Sequence, residues 1–259
     1  MISLSIANGI AEVVLNAPHK LNSLDEQALR DLTQAYDDAA AAASRGEVRA
    51  LLLRGEGRAF CAGRDIAGVT PENDDAEAYL GGLVQPLLQK MSAFPAPTFA
   101  AAQGACLGVG LGLLLATDVV YVAENAKFGS PFAKLGATLD SGGHWYFTER
   151  LGMHRTLDLI YTAELMTGTE AVAKGMFSRA MPADELLDST RAIVAKVATG
   201  ATGAFKASKE LVAHIRDQRL GLWASMTEEN AEQARLCKSE DYAEGFRAFQ
   251  EKREPQFKG

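Results

Sequence analysis

Phe99-Ala-Ala-Ala-Gln-Gly104-Ala-Cys-Leu-Gly108-Val109-Gly110-Leu-Gly112 is the junction on which the fold turns. The stretch from Thr98 to Gln103 reads as a buried strand, and it runs into glycines at 104, 108, 110 and 112 before the apolar Leu113 to Leu115. Glycines that follow a strand and open a helix let backbone amides approach a ligand and set it at the helix's positive end. They serve tight packing of helix on sheet equally well. The same grammar occurs upstream in Leu51-Leu-Leu-Arg-Gly-Glu-Gly-Arg-Ala-Phe-Cys-Ala-Gly63-Arg64-Asp65, where the strand from Val48 to Leu53 enters a loop. Asp118 to Ala123 supplies a third core strand. A first half that interleaves strands with helices is an α/β arrangement.

Outward from these junctions, Ile2/Leu4/Ile6 and Ala11/Val13/Leu15 alternate around Asn8-Gly9, which predicts a hairpin. Ser23-Leu-Asp-Glu26 predicts a capping box for a helix with Leu29, Leu32 and Tyr36 on one face, closing near Gly46. Tyr79, Leu80, Leu83, Val84, Leu87, Leu88 and Met91 have helical spacing, and Pro95 and Pro97 stop that helix. Beyond about residue 140 the pattern is almost wholly helical. Thr167 to Glu170 is a second capping box, and Leu186/Ile193/Val197, Phe205/Leu211/Ile215 and Leu220/Trp223 mark later helices.

The 259 residues are 47% hydrophobic and 23% charged, an ordinary globular composition rather than a disordered or fibrous one. A net charge of −7 excludes a whole-protein basic field for nucleic acid. No basic and apolar leader begins the chain, and no apolar run reaches the ~20 residues of a membrane span. Three cysteines, at 61, 106 and 237, lack metal or redox spacing and suit a reducing compartment, so a cytoplasmic location is expected. His19, His144, His154 and His214 have no ligand spacing with cysteine or carboxylate. Neither glycine loop is G-x-G-x-x-G, no phosphate-binding P-loop occurs, and G-x-S-x-G is absent.

In these loops the sequence resembles the crotonase (enoyl-CoA hydratase/isomerase) superfamily, and the likeness covers essentially the whole chain. Its pieces stand in family order: Pro18-His-Lys-Leu-Asn22-Ser-Leu24, Arg58-Ala-Phe-Cys-Ala-Gly-Arg-Asp65, Gln103-Gly-Ala-Cys-Leu-Gly-Val-Gly110, Ala116-Thr-Asp118 and Phe128-Gly-Ser-Pro131. Lys134-Leu-Gly136, Gly142-Gly143 and the tail from Ser239 to Phe257 complete the set.

The resemblance implies a spiral of ββα turns over residues 1–199 and a helical trimerisation region over 200–259. It further implies an acyl-CoA thioester as substrate, with coenzyme A part of it and no separate cofactor, and a homotrimer or dimer of trimers. The amides of Arg64 and Val109 correspond to the family's oxyanion-hole donors. Asn22, Ala62, Gly63, Asp65, Gly108, Phe132, Leu139 and Lys252 fall at positions expected to line the substrate, with Lys252 and Arg253 reaching the nucleotide from a neighbouring subunit. The two glutamates of family hydratases are replaced here by Gly112 and Phe132, neither of which can move a proton. Asp140, in Leu135-Gly-Ala-Thr-Leu-Asp140-Ser-Gly-Gly143, matches the acid of the dienoyl-CoA and ring-epoxide isomerases. An isomerase with Asp140 as proton shuttle is therefore expected, its basicity raised by Phe132, Leu139 and Trp145. The other readings are a hydratase with relocated acids, a hydrolase or dehalogenase with Asp140 as nucleophile, and a catalytically silent acyl-CoA binder. A purely structural Asp140 would cap the helix that starts near Ser141-Gly142.

Overall fold

The computed structural model describes residues 1–259, apart from the side chain of Pro71. Strands β1 (Ile2–Ala7) and β2 (Ile10–Leu15) form the expected hairpin, with Asn8 and Gly9 at φ of 53° and 76°. Helix α1 (Glu26–Ser44) buries Leu29, Leu32 and Tyr36, and the chain turns at Gly46. Its cap differs from expectation: the Asp25 carboxylate, not Ser23, accepts from the Ala28 amide at 2.8 Å. Leu24 is held extended in a bridge to Arg64, so the helix can open only after it.

Strand β3 (Ala50–Gly55) leads through a long loop to α2 (Ala76–Tyr79), a π-helical turn (Leu80–Val84) and α3 (Gln85–Ser92). In the widened turn the Gln85 amide reaches back to the Leu80 carbonyl. Pro86 explains the widening, because it has no N–H for the helix ladder and its ring crowds the preceding turn.

The remaining elements are β4 (Thr98–Ala102), β5 (Ala105–Leu107), α4 (Val109–Leu115), β6 (Val119–Ala123), β7 (Lys127–Gly129), α5 (Gly143–Thr162), β8 (Met166–Thr167), α6 (Gly168–Ala173) and β9 (Arg179–Met181). The Thr167–Glu170 capping box forms as expected at α6. Helices α7 (Leu186–Ala198), α8 (Thr202–Gln218), α9 (Leu222–Leu236) and α10 (Glu240–Glu251) complete the chain. Leu220 lies just before α9 instead of within it.

A six-stranded sheet has the order β1-β2-β3-β4-β6-β9, parallel except for the hairpin, and a small sheet has the order β5-β7-β8. Two turns of a ββα spiral are visible as β4-β5-α4 and β6-β7-α5, each giving one strand to each sheet. Leu51, Leu52 and Leu53 are wholly buried, as parallel strands covered on both faces require. Among the described residues, no helix is long and apolar enough to cross a membrane. The accessible surface is 13,434 Å², above the roughly 11,000 Å² expected for 27.6 kDa. Trp223 and Phe249, 75% and 85% exposed, lie in the helices beyond residue 200 and contribute to that excess.

Asn22 is fully buried in the turn before α1. Its Oδ1 accepts from the Ala17 amide at 2.8 Å, and its Nδ2 donates to the carbonyls of Glu56, Ala59 and Phe60 at 3.0, 2.8 and 3.1 Å. The side chain thus keeps no polar atom for a ligand, a correction to its expected role in lining the substrate, and it braces the loop that leads to Gly63. Asn22→Ala is expected to lower stability by roughly 3 kcal/mol, because it strands several buried backbone groups. Urea denaturation would show this as a lower midpoint at an unchanged slope.

Candidate active site

Three backbone hydrogen bonds lace the two glycine loops together: Phe60 to Gln103 (2.7 Å), Cys61 to Ala105 (3.0 Å) and Leu107 to Cys61 (3.0 Å), donor first. Gly63 stands at φ +101°, and a Cβ there would lie 2.9 Å from the Leu107 carbonyl and 3.9 Å from the Gly108 Cα. Only glycine allows that approach. The residues following this contact are Arg64 and Val109. Their amides donate to no protein acceptor among the described residues. Val109 opens α4, so its N–H is one of the orphan donors of a helix start.

The Arg64 side chain turns away from its own amide. It makes two hydrogen bonds to Asp74 (2.9 and 2.6 Å) and lies 4.1 Å over the Tyr79 ring, while the Tyr79 hydroxyl donates to the Leu24 carbonyl. Phe132 covers the other side of the junction, its ring 3.0 Å from where a Gly108 Cβ would be.

Beside α4 lies a chamber of about 800 Å³, within the range of small-molecule sites. Leu80, Val84 and Leu88 form one wall, Leu139 to Gly142 and Tyr146 another, and Arg216 and Asp217 of α8 stand at its edge. Gly112 is in its lining, and a Cβ on Gly112 would come within 2.5 Å of the Ser141 Cβ. Of the two carboxylates in the lining, Asp217 is bound at both oxygens by Arg216 (2.6 and 2.9 Å). Asp140 has no ion-pair partner among the described residues and accepts only from the Ser141 hydroxyl, at 2.8 Å.

Burial pushes the Asp140 carboxyl above its ordinary range, and the Ser141 hydroxyl and the Arg64 charge pull it part of the way back. Asp140 does not cap α5. Gly142 occupies that position at φ +82° without a side-chain hydrogen bond, and only the Asp140 backbone carbonyl takes part, accepting from the Gly143 amide.

Gly63, Arg64, Gly108, Val109 and Phe132 thus gather at the junction, while Leu139 and Asp140 line the chamber, whose lining includes none of those five. Ala62 belongs to the junction's framework, its amide donating to the Leu21 carbonyl. Asp65 is not free for a ligand: Lys20 binds its carboxylate at 2.8 Å, and the Ala67 amide adds a second contact. Lys252 caps the end of α10 in the left-handed region and lies outside this chamber's lining.

Trp145, expected among the apolar neighbours of Asp140, also lies outside the chamber lining, against Tyr146 and Arg216. Successive residues of a helix point about 100° apart, so Tyr146 takes the inward place. Tyr146, Gln85, Gln89 and Arg216 also line the chamber, though no motif in the sequence points to them. Helical phase from Gly143 could have found Tyr146; nothing in the sequence marks Arg216. His144 and Glu149 face elsewhere, toward Thr138 and Arg219.

Another cavity, of about 820 Å³, lies among α8, α9, α10 and the C-terminal tail, lined by Leu236, Phe246, Phe249 and Phe257. It holds neither Asp140 nor the two free amides.

The family model described as enoyl-CoA hydratase/isomerase matches residues 5–259. A Rhodobacter capsulatus protein named "Probable enoyl-CoA hydratase" is 36% identical, over 100% of this chain and 98% of its own. The 1,2-epoxyphenylacetyl-CoA isomerase of Escherichia coli is 29% identical, over 98% of this chain and 97% of its own. The crystal structure of an enoyl-CoA hydratase from Bacillus anthracis superimposes with a TM-score of 0.89 at 28% identity, covering 100% of this chain and 99% of the other. The chain belongs to the enoyl-CoA hydratase/isomerase family.

Proposed function

We propose that this enzyme is an acyl-CoA isomerase that moves a double bond, or opens and rearranges a ring epoxide, through a thioester enolate. The observation that carries the reading is the single unpaired carboxyl of the chamber, Asp140. Hydration needs groups that hold and activate water as well as protonate carbon, whereas a 1,3-shift needs one base that takes a proton and returns it further along.

In this reading the Arg64 and Val109 amides bind the thioester oxygen. As Asp140 removes a proton from the acyl carbon, the C–H electron pair becomes the new double bond and the thioester oxygen takes the negative charge. The proton then goes from Asp140 to the γ carbon, and the charge returns through the conjugated system. Fixed amide dipoles aimed at the developing charge need little reorganisation. The raised basicity of a buried carboxylate suits it to abstract a weakly acidic proton. Leu80, Val84, Leu88 and Leu139 would receive the acyl group.

In the same reading the chain forms a homotrimer or dimer of trimers in which Lys252 approaches a neighbour's coenzyme A; the large exposed apolar side chains beyond residue 200, Trp223 and Phe249 among them, support contact between copies there. Analytical ultracentrifugation reads that assembly directly.

A hydratase reading is favoured by the name of the Rhodobacter relative. Supplying 3-enoyl-CoA and 2-enoyl-CoA separately and weighing the products discriminates the two. The isomerase reading expects 2-enoyl-CoA from the first substrate and no gain of water from the second. A 3-hydroxyacyl-CoA formed from the second, with the first untouched, would overturn it.

A further inference from the structure

We infer that Ser141 is a positioning residue for Asp140, locked over Gly112 so that one carboxylate oxygen is held and the other is left to carry the proton. The inference rests on the reading of Asp140 as the base.

Three observations converge on it. The Ser141 Oγ donates to Oδ1 of Asp140 at 2.8 Å, and no other protein donor meets that carboxylate among the described residues. The Ser141 backbone stands at φ +51° and Gly142 follows at +82°. A residue with a Cβ enters that region reluctantly, so the surroundings must hold it there. The holding surface is α4: a Cβ on Gly112 would lie 2.5 Å from the Ser141 Cβ and 3.2 Å from both its carbonyl oxygen and its Oγ. Ser141 therefore fills the volume that a side chain at 112 would need. The place where an acid could stand on α4 is closed, and the residue that closes it orients the remaining acid.

With Oδ1 engaged, Oδ2 is the oxygen free to take the proton from the acyl carbon and give it back. Ser141 exchanges no proton in either half of the step; its hydroxyl stays on Oδ1 throughout. A hydrogen bond to the charged form also favours that form. The other ionisable groups facing this carboxyl are Arg64 before α2, Tyr79 on α2, Tyr146 on α5, and Arg216 with Asp217 on α8. None of them changes when the serine hydroxyl is removed.

The experiment compares Ser141→Ala, Ser141→Gly and Gly112→Ala with the parent full-length enzyme, using 3-enoyl-CoA. Infrared difference titration against Asp140→Asn reads the Asp140 carboxyl without turnover. Ser141→Ala is expected to lower kcat about tenfold with KM nearly unchanged, and to move the Asp140 titration to higher pH. Ser141→Gly relieves the backbone conformation yet should show both effects. It also keeps the test valid if the alanine variant folds poorly. Gly112→Ala should displace Ser141 and lower kcat while leaving the acid in place.

Parent-like kcat and titration in Ser141→Gly would overturn the inference and leave Ser141 a backbone spacer. Full activity in Gly112→Ala would overturn the lock. Full activity in Asp140→Asn would instead remove Asp140 as the base, a failure of the earlier reading that the serine variants cannot mimic.

Discussion

Asp140→Asn is expected to lower kcat by about 10²- to 10⁴-fold, the range associated with losing a positioned acid–base group, and at neutral pH to melt at a higher temperature than the parent. The first follows from losing the proton carrier, the second from removing a buried charge. Burial raises the Asp140 pKa in the folded state, so the native protein binds more protons than the unfolded chain in the interval above the ordinary aspartate value of 3.8. Stability therefore falls as pH rises through that interval, and above the folded-state pKa the loss is complete. Asparagine, with nearly the same shape and no charge, escapes it. Steady-state turnover and calorimetric melting at pH 3.5 and pH 7.5 test the pair of effects. The gain in melting temperature should be present at the higher pH and shrink at the lower one. An inactive variant with no gain at pH 7.5 would show that the carboxylate is not held at an energetic disadvantage.

Val109→Pro is expected to reduce kcat by a factor of about 10² to 10³, equivalent to roughly 2.7–4 kcal/mol for one oxyanion donor. The position isolates the effect. Val109 is the first residue of α4, where proline is tolerated because the N–H it lacks is not used by the helix. Gly108, at φ +52° and ψ −122°, precedes it, and a glycine bears the added restriction better than any other residue. Val109→Ala shortens the same buried side chain but keeps the amide, so it should retain most of the activity. Equal kcat values for the proline and alanine variants would show that this amide does not stabilise the reacting oxygen.

The spiral core was legible because its strands and glycine junctions announce themselves locally. Val48 to Leu53, Thr98 to Gln103 and Asp118 to Ala123 read as strands, and the large sheet contains them as Ala50–Gly55, Thr98–Ala102 and Val119–Ala123. The small sheet leaves no such trace. Its strands have two or three residues, too few for any periodicity to appear.

The cap of α1 departs from its local sequence pattern for a similar reason. Ser23 and Glu26 have the spacing of a capping box, but the bridge from Leu24 to Arg64 is a long-range contact that local spacing cannot contain. Asp140 and the paired loops were visible as motifs. The saturation of Asn22 and Asp65 by their own chain was not, since it depends on carbonyls and a lysine brought together by folding.

The π-helical turn has a consequence for how this scaffold can change over generations. Gly81 and Gly82 sit in it side by side, and a methyl group added at either would meet nothing within 4 Å. Gly81 borders the chamber that Asp140 lines, whereas Asp140 and the two free amides belong to other segments. Under the isomerase reading, substrate preference would drift through bulk at position 81 while Asp140 and the two amides are inherited intact. Descendants of one ancestor could diversify their diets before their chemistry.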